Sequence, residues 1–195
     1  MIAQGLVIGL CIAVVLAGLA ATSELGRALM DALVTVFNPL PAIALLPLAM
    51  LWFGLGTKPL IFVIIMSVAW PAAISLHTGF SSVSLSLRRV GQNFGFSGFR
   101  QFTHIYLPAA LPSILAAFRI AWAFAWRTAI AAEMVFGVSG SQGGLGYFIY
   151  VSRYNLDTAD VFAGLMAIVI IGVAVERGIL GVVERRTTVR WGVTR

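Results

Sequence analysis

Three stretches of the 195-residue chain carry no charged residue, 1–23, 32–57 and 59–87, and within each the apolar residues run on without polar alternation. A helix needs about 20 apolar residues to cross the hydrocarbon core of a bilayer, and each stretch meets that length. Two further apolar runs near 108–136 and 161–183 bring the expected spans to about five, at 1–21, 33–53, 60–76, 108–136 and 161–183. Only helices and closed barrels satisfy their backbone in lipid. These runs are far longer than barrel strands and lack period-two patterning. The pattern therefore predicts one all-α integral membrane domain over residues 1–195, without an internal repeat.

Composition agrees: 60% of the residues are hydrophobic and 10% charged, with a mean hydropathy of +0.98, against about 25% charged in a soluble domain. The formal net charge of +6 raises nucleic acid as a partner, but its placement excludes that reading. Residues 77–107 hold Arg88, Arg89 and Arg100 and no acid, and the tail 176–195 holds Arg177, Arg185, Arg186, Arg190 and Arg195 against Glu176 and Glu184. Residues 137–160 carry Arg153 against Asp157 and Asp160. Short basic loops stay cytoplasmic, which puts 77–107 and the tail inside and 137–160 outside. Lys58 then lies outside, a mild misfit. Cys11 is the only cysteine and sits within the first apolar run, so no disulfide or cysteine–metal site is expected.

The first run opens without the basic flank or cleavage site of a signal peptide. With the tail inside, five spans put Met1 outside, and the sequence leads us to expect a lost upstream span. Gly5, Gly9, Ala13, Ala17 and Ala21 place a small residue at every fourth position of this run, a stripe that lets another helix approach closely.

The most informative segment is 88–112, RRVGQNFGFSGFRQFTHIYLPAALP. It resembles the cytoplasmic loop of ATP-binding-cassette importer permeases, written EAA, three residues, Gly, nine residues, Ile, one residue, Leu-Pro. Gly95, Ile105, Leu107 and Pro108 stand at those spacings, and the EAA positions fall on Arg89, Val90 and Gly91, so a basic residue replaces the acidic one. Gly95 suits a sharp turn, Pro108 and Pro112 suit the first turn of the next span, and Phe94, Phe96, Phe99 and Phe102 offer apolar anchors for docking. Residues 38–54, NPLPAIALLPLAMLWFG, are similar to a proline-punctuated span of nitrate/sulfonate/taurine/bicarbonate permeases. Phe118–Trp122, Ala131–Met134, Gly144–Tyr147 and the closing Glu184-Arg185-Arg186 with Trp191 continue the likeness in order. The resemblance implies a type I permease fold lacking the family's first helix, in a bacterial plasma (inner) membrane. It further implies a second, identical copy, cytoplasmic ATPases coupled through Arg88 to Leu107, a periplasmic or lipid-anchored binding protein, no cofactor, and small anions such as sulfonate, nitrate or taurine as cargo.

Arg119, Arg127 and Glu133 lie within the run 108–136. At 100° per residue, Arg119, Trp126 and Glu133 share a stripe about 40° wide, with Arg127 about 80° to the side. Arg119 and Glu133 are ~21 Å apart along the axis and cannot pair with each other. Ionisable residues at this depth face a bundle interior or a wet cavity. Two readings of the arginines stand: a positive path for oxyanions, whose geometry suits guanidinium, or inter-helix locks. For Glu133 the lock is preferred. Pro39, Pro41, Pro47 and Pro71 are expected as static kinks, and residues 137–146, GVSGSQGGLG, as an external loop meeting a delivering protein. GLGTKP at 54–59 lacks the spacing of a phosphate-binding P-loop, so energy would come from a partner. His77 and His104 have no convergent carboxylates, and no metal or catalytic set is expected. The rival readings are a passive channel or ion-coupled secondary transporter, a membrane enzyme, and a truncated, non-functional permease; the first leaves the spaced loop unexplained.

Overall fold

The computed structural model describes residues 1–137 and 143–184, and all regular structure among them is helical. Helix α1 (Ile2–Thr22) ends at Ser23, whose extended backbone turns the chain and whose hydroxyl accepts the Gly26 N–H at 3.0 Å, capping α2 (Glu24–Phe37). After residues 38–41 come one 3₁₀ turn (Ala42–Leu45) and α3 (Leu46–Phe53). Helix α4 (Thr57–Ser81) continues through Pro71. The next loop holds α5 (Leu85–Asn93), α6 (Gly98–Gln101), a wide π turn (Phe102–Tyr106) and α7 (Leu107–Ala109). Then follow α8 (Leu111–Phe136), α9 (Leu145–Tyr154) and α10 (Thr158–Ala174), the last running through a π turn (Val175–Leu180) into α11 (Gly181–Glu184). Four helices are long and apolar enough to cross a membrane, or five if α2 and the α3 segment form one broken span.

That broken span is the main departure from the expected 33–53 helix. Its two halves bend by 81° across residues 38–41. Pro39 and Pro41 have no N–H and clash with the preceding turn, so α2 stops at Phe37. Pro47, by contrast, sits in the first turn of α3, where its missing donor costs nothing. Of the four prolines, Pro71 alone lies inside a continuous helix.

Helix α4 is the centre of the bundle: 61% of its apolar stretch is buried, against 6% for α10, which joins the rest through α9. The stripe on α1 explains half of this. A Cβ on Gly5 would stand 2.6 Å from Ile64 Cγ2, and one on Gly9 2.8 Å from Val68 Cγ1. Ala13 and Ala17 are fully buried in the same seam, which then shifts to Ala20 while Ala21 stays half-buried. The paired order, 5 with 64 and 9 with 68, makes α1 and α4 run parallel. Ala117, Ala121, Ala125 and Ala129 of α8, which packs against both α4 and α1, form a second buried stripe of four-residue spacing. Small residues let helices pack closely where lipid offers no hydrophobic drive.

Overpacking this seam costs about 1–3 kcal/mol. Gly9→Leu is therefore expected to lower the thermal midpoint of the detergent-purified protein. Gly18→Leu, at a position with nothing within 4 Å of a Cβ, should leave it unchanged.

Candidate translocation groove and coupling loop

Non-helical backbone at membrane depth survives only where it is buried in protein or lines a cavity. The break at 38–41 is exposed in the isolated chain and meets the second condition, as the wall of a cavity. Asn38 N–H donates to Val34 O at 2.9 Å and Leu40 N–H to Phe37 O at 3.2 Å, while Pro39 and Pro41 have no N–H to satisfy. The segment borders a cavity of about 480 Å³ whose other walls are Met66, Ser67, Trp70 and Pro71 of α4 and Phe124, Arg127, Thr128 and Ala131 of α8. A second cavity of about 510 Å³ shares Asn38, Pro71 and Phe124 and extends past Ser75 and Thr78 to Ser113. Together they form one groove along α4 and α8. Phe37 stacks on Trp70 at 5.0 Å and closes one wall.

The structure separates the three ionisable residues of α8. Arg127 lies in the groove: its Nε donates to Ala123 O at 2.9 Å, and its guanidinium carbon is 5.0 Å from the Phe124 ring centre. It stands nine residues from the α8 C-terminus, ~14 Å below it. An arginine facing lipid at the helix centre costs about 2.5–3.5 kcal/mol on insertion scales, which a position beside Asn38, Ser67 and Thr128 in the groove avoids. Arg119 is half-buried and lines neither cavity. Glu133 turns to α9 and accepts the Gly146 N–H at 3.2 Å, at the end of that helix where carboxylates are favoured. A Cβ on Gly144 would come 2.5 Å from its Oε2, which accounts for the Gly144-Leu145-Gly146 run.

In the loop, α5 is capped by Ser84, whose hydroxyl accepts the Leu87 N–H at 3.3 Å. It stops where Gly95 adopts φ +73°, a conformation costly for any residue with a Cβ, although the space around it is open. Gly91 is buried, and a Cβ there would stand 2.8 Å from Ile105 Cγ1. Two of the spaced positions thus meet in space and fold the loop back on itself. Arg88 points inward: its Nη2 donates to Phe80 O and Ser81 O, each at 3.2 Å, at the C-terminal end of α4, and its guanidinium lies over the Tyr106 ring. Arg89 is exposed, as are Leu107 and Pro108. Of the phenylalanines expected as anchors, Phe102 packs inward on Phe80 and Phe96 is half-buried between His104 and Arg100. Phe94, 74% exposed, points outward with Leu85 and Val90.

Across the opposite end of α8, α9 carries Tyr147, Tyr150 and Tyr154 with Arg153 over the last two rings. The hydrogen bond with Tyr154 raises the Tyr150 hydroxyl above the usual phenol range. Residues 138–142 of the glycine-rich loop and the tail arginines 185–195 lie outside the described residues. Among the described residues no three His, Cys, Asp or Glu side chains gather to hold a metal.

Residues 6–189 match the family described as binding-protein-dependent transport system inner membrane component. The chain belongs to this family. It is 34% identical over 162 residues to the taurine transport system permease protein TauC of Escherichia coli K12, covering 83% of this chain and 57% of that one. It is 26% identical over 181 residues to the nitrate import permease protein NrtB of Synechococcus elongatus, covering 90% and 63%. The chain therefore spans little more than half the length of these relatives. For this inner membrane component, the sequence reading missed the alanine stripe of α8, whose four-residue spacing was legible, and the inward turn of Arg88, which nothing local announces.

These geometries separate two neighbouring arginines. Arg88→Ala removes the partner of two α4 carbonyls and is expected to cost about 1.5–3 kcal/mol, the range of charge-assisted hydrogen bonds. Arg89→Ala should be neutral in the same thermal unfolding measurement.

Proposed function

We propose that this chain is the membrane-spanning permease subunit of an ATP-driven importer, and that its cargo is a small oxyanion of the sulfonate, taurine or nitrate kind. The observation that carries the reading is the groove at the break of an apolar helix pair, joined through α4 and Arg88 to a basic, partly apolar loop; on this reading that loop lies on the cytoplasmic side. Two copies would enclose the route, and a soluble binding protein would deliver cargo to the face that carries α9. Separate ATPases would dock on α5, where Phe94, Leu85, Val90 and Arg89 make a mixed apolar and cationic surface. Arg89 in place of an acidic residue asks for an acidic partner on the ATPase.

The loop also offers a route for the stroke. Arg88 fastens α5 to the end of α4, and α4 supplies Trp70 and Pro71 to the cavity wall. Movement of α5 as the ATPases close would displace α4 as a rigid element and re-open the groove to the opposite side, a packed-helix shift of the kind that switches other bistable proteins. The names of TauC and NrtB favour taurine and nitrate as cargo, and one cationic side chain in the groove suits an anionic group on either.

Co-purification in detergent with the cognate ATPase tests the reading. The intact chain is expected to hold the ATPase. Phe94→Asp should weaken the complex by about 2 kcal/mol or more, roughly thirtyfold, as for an interface anchor. Gly95→Pro, at a φ that proline cannot reach, should abolish it. An intact chain that captures no ATPase contradicts the reading and favours a passive channel or ion-coupled transporter, or a permease without function.

A further inference from the structure

We infer that the permease itself selects its cargo, through an oxyanion site in the cavity at the helix break, with Arg127 as the charge and Thr128 and Asn38 as neighbouring donors. The inference rests on the permease reading and goes further, because it places recognition in this chain as well as in any delivering protein.

The cavity walls carry no acidic residue. Arg127 spends its Nε on Ala123 O, and among the described residues its terminal nitrogens meet neither a hydrogen-bond acceptor nor a carboxylate. Arg127 is exposed in the isolated chain and so open to a ligand in the cavity, and no carboxylate in the lining supplies the counter-charge that a cation at that depth calls for. Trp70 shapes the site. It is 9% exposed and stands in the wall of the same cavity, where its ring gives an apolar face, while its indole N–H is buried behind that wall without an acceptor. Thr128 and Asn38 add a hydroxyl and an amide to the lining.

The set therefore offers one cation, a hydroxyl and an amide, and no carboxylate. Its complement is a compact ligand made mostly of acceptor oxygens, with one negative charge to match one guanidinium. Sulfonate, nitrate and small carboxylates qualify. Phe37, Phe124 and Pro71 give the site apolar faces for a short carbon skeleton, and about 480 Å³ lies within the usual range for small-ligand pockets. Arg119, eight residues earlier and ~12 Å away along α8, lies outside this cavity. The two intramembrane arginines thus have different tasks.

Saturation-transfer NMR on the full chain, purified with its ATPase, tests the site with methanesulfonate and its neutral analogue dimethyl sulfone. Methanesulfonate is expected to receive saturation and dimethyl sulfone far less. Arg127→Gln should weaken methanesulfonate binding roughly ten- to hundredfold, the range of a charge-assisted contact, with Arg127→Lys in between and Arg119→Gln close to the parent. The thermal midpoint of each variant confirms folding. Equal signals from the two ligands, a parent-like Arg127→Gln, or an equal loss in Arg119→Gln overturns the inference. Retained ATPase capture alongside any of these leaves the permease reading standing, whereas loss of capture with intact anion binding removes the permease reading alone.

Discussion

Two stripes of small residues pack around α4, Gly5, Gly9, Ala13 and Ala17 from α1, and Ala117, Ala121, Ala125 and Ala129 from α8. In lipid, apolar side chains gain nothing by leaving their solvent, so close backbone approach supplies the attraction. Because both seams are full, the large side chains of α4 that face them, among them Ile64 and Val68, are buried. The face of α4 that remains carries Ser67, Trp70, Pro71, Ser75 and Thr78, and it lines the groove. The path is what close packing on two sides leaves open.

The same logic governs the third wall. A broken span at mid-depth would be intolerable with open N–H groups, but two of its four residues are prolines and the other two donate to carbonyls nearby. The break can therefore border a cavity without an orphan donor among residues 38–41, and α4 is held at its C-terminal end by Arg88. One helix thus joins the loop surface of α5 to the cavity wall. This continuity, rather than any single residue, makes the importer reading physical.

The fold class was legible because charge-free runs of span length have few solutions in a bilayer. The α1 stripe was legible for a similar reason: small residues at a fixed spacing have a mechanical meaning that does not depend on the partner. Other features depended on partners far along the chain. Glu133 could be read as a structural lock, but not as the acceptor for Gly146, because the residues between them have no periodicity to read. Pro39 and Pro41 looked like Pro71, yet two prolines separated by one residue end a helix where a single one only strains it. Arg88 and Arg89 are adjacent and chemically identical, and only the fold of the loop sends one inward and the other out. For Phe102, spacing suggested an exposed anchor, while the π turn rotates it onto Phe80.

The central claim is that the groove beside α4 carries water while the outer face of α10 meets lipid or protein. It is tested most directly by thiol accessibility in membrane vesicles, in a Cys11→Ser background that removes the chain's only cysteine. Thr128→Cys in the groove and Val169→Cys on α10 would be treated with a water-soluble methanethiosulfonate. Val169 is 59% exposed in the isolated chain, so bare exposure ranks it as readily labelled. The account predicts rapid modification of Thr128→Cys and slow modification of Val169→Cys. Equal, slow labelling of both would contradict it, because the groove would then be dry.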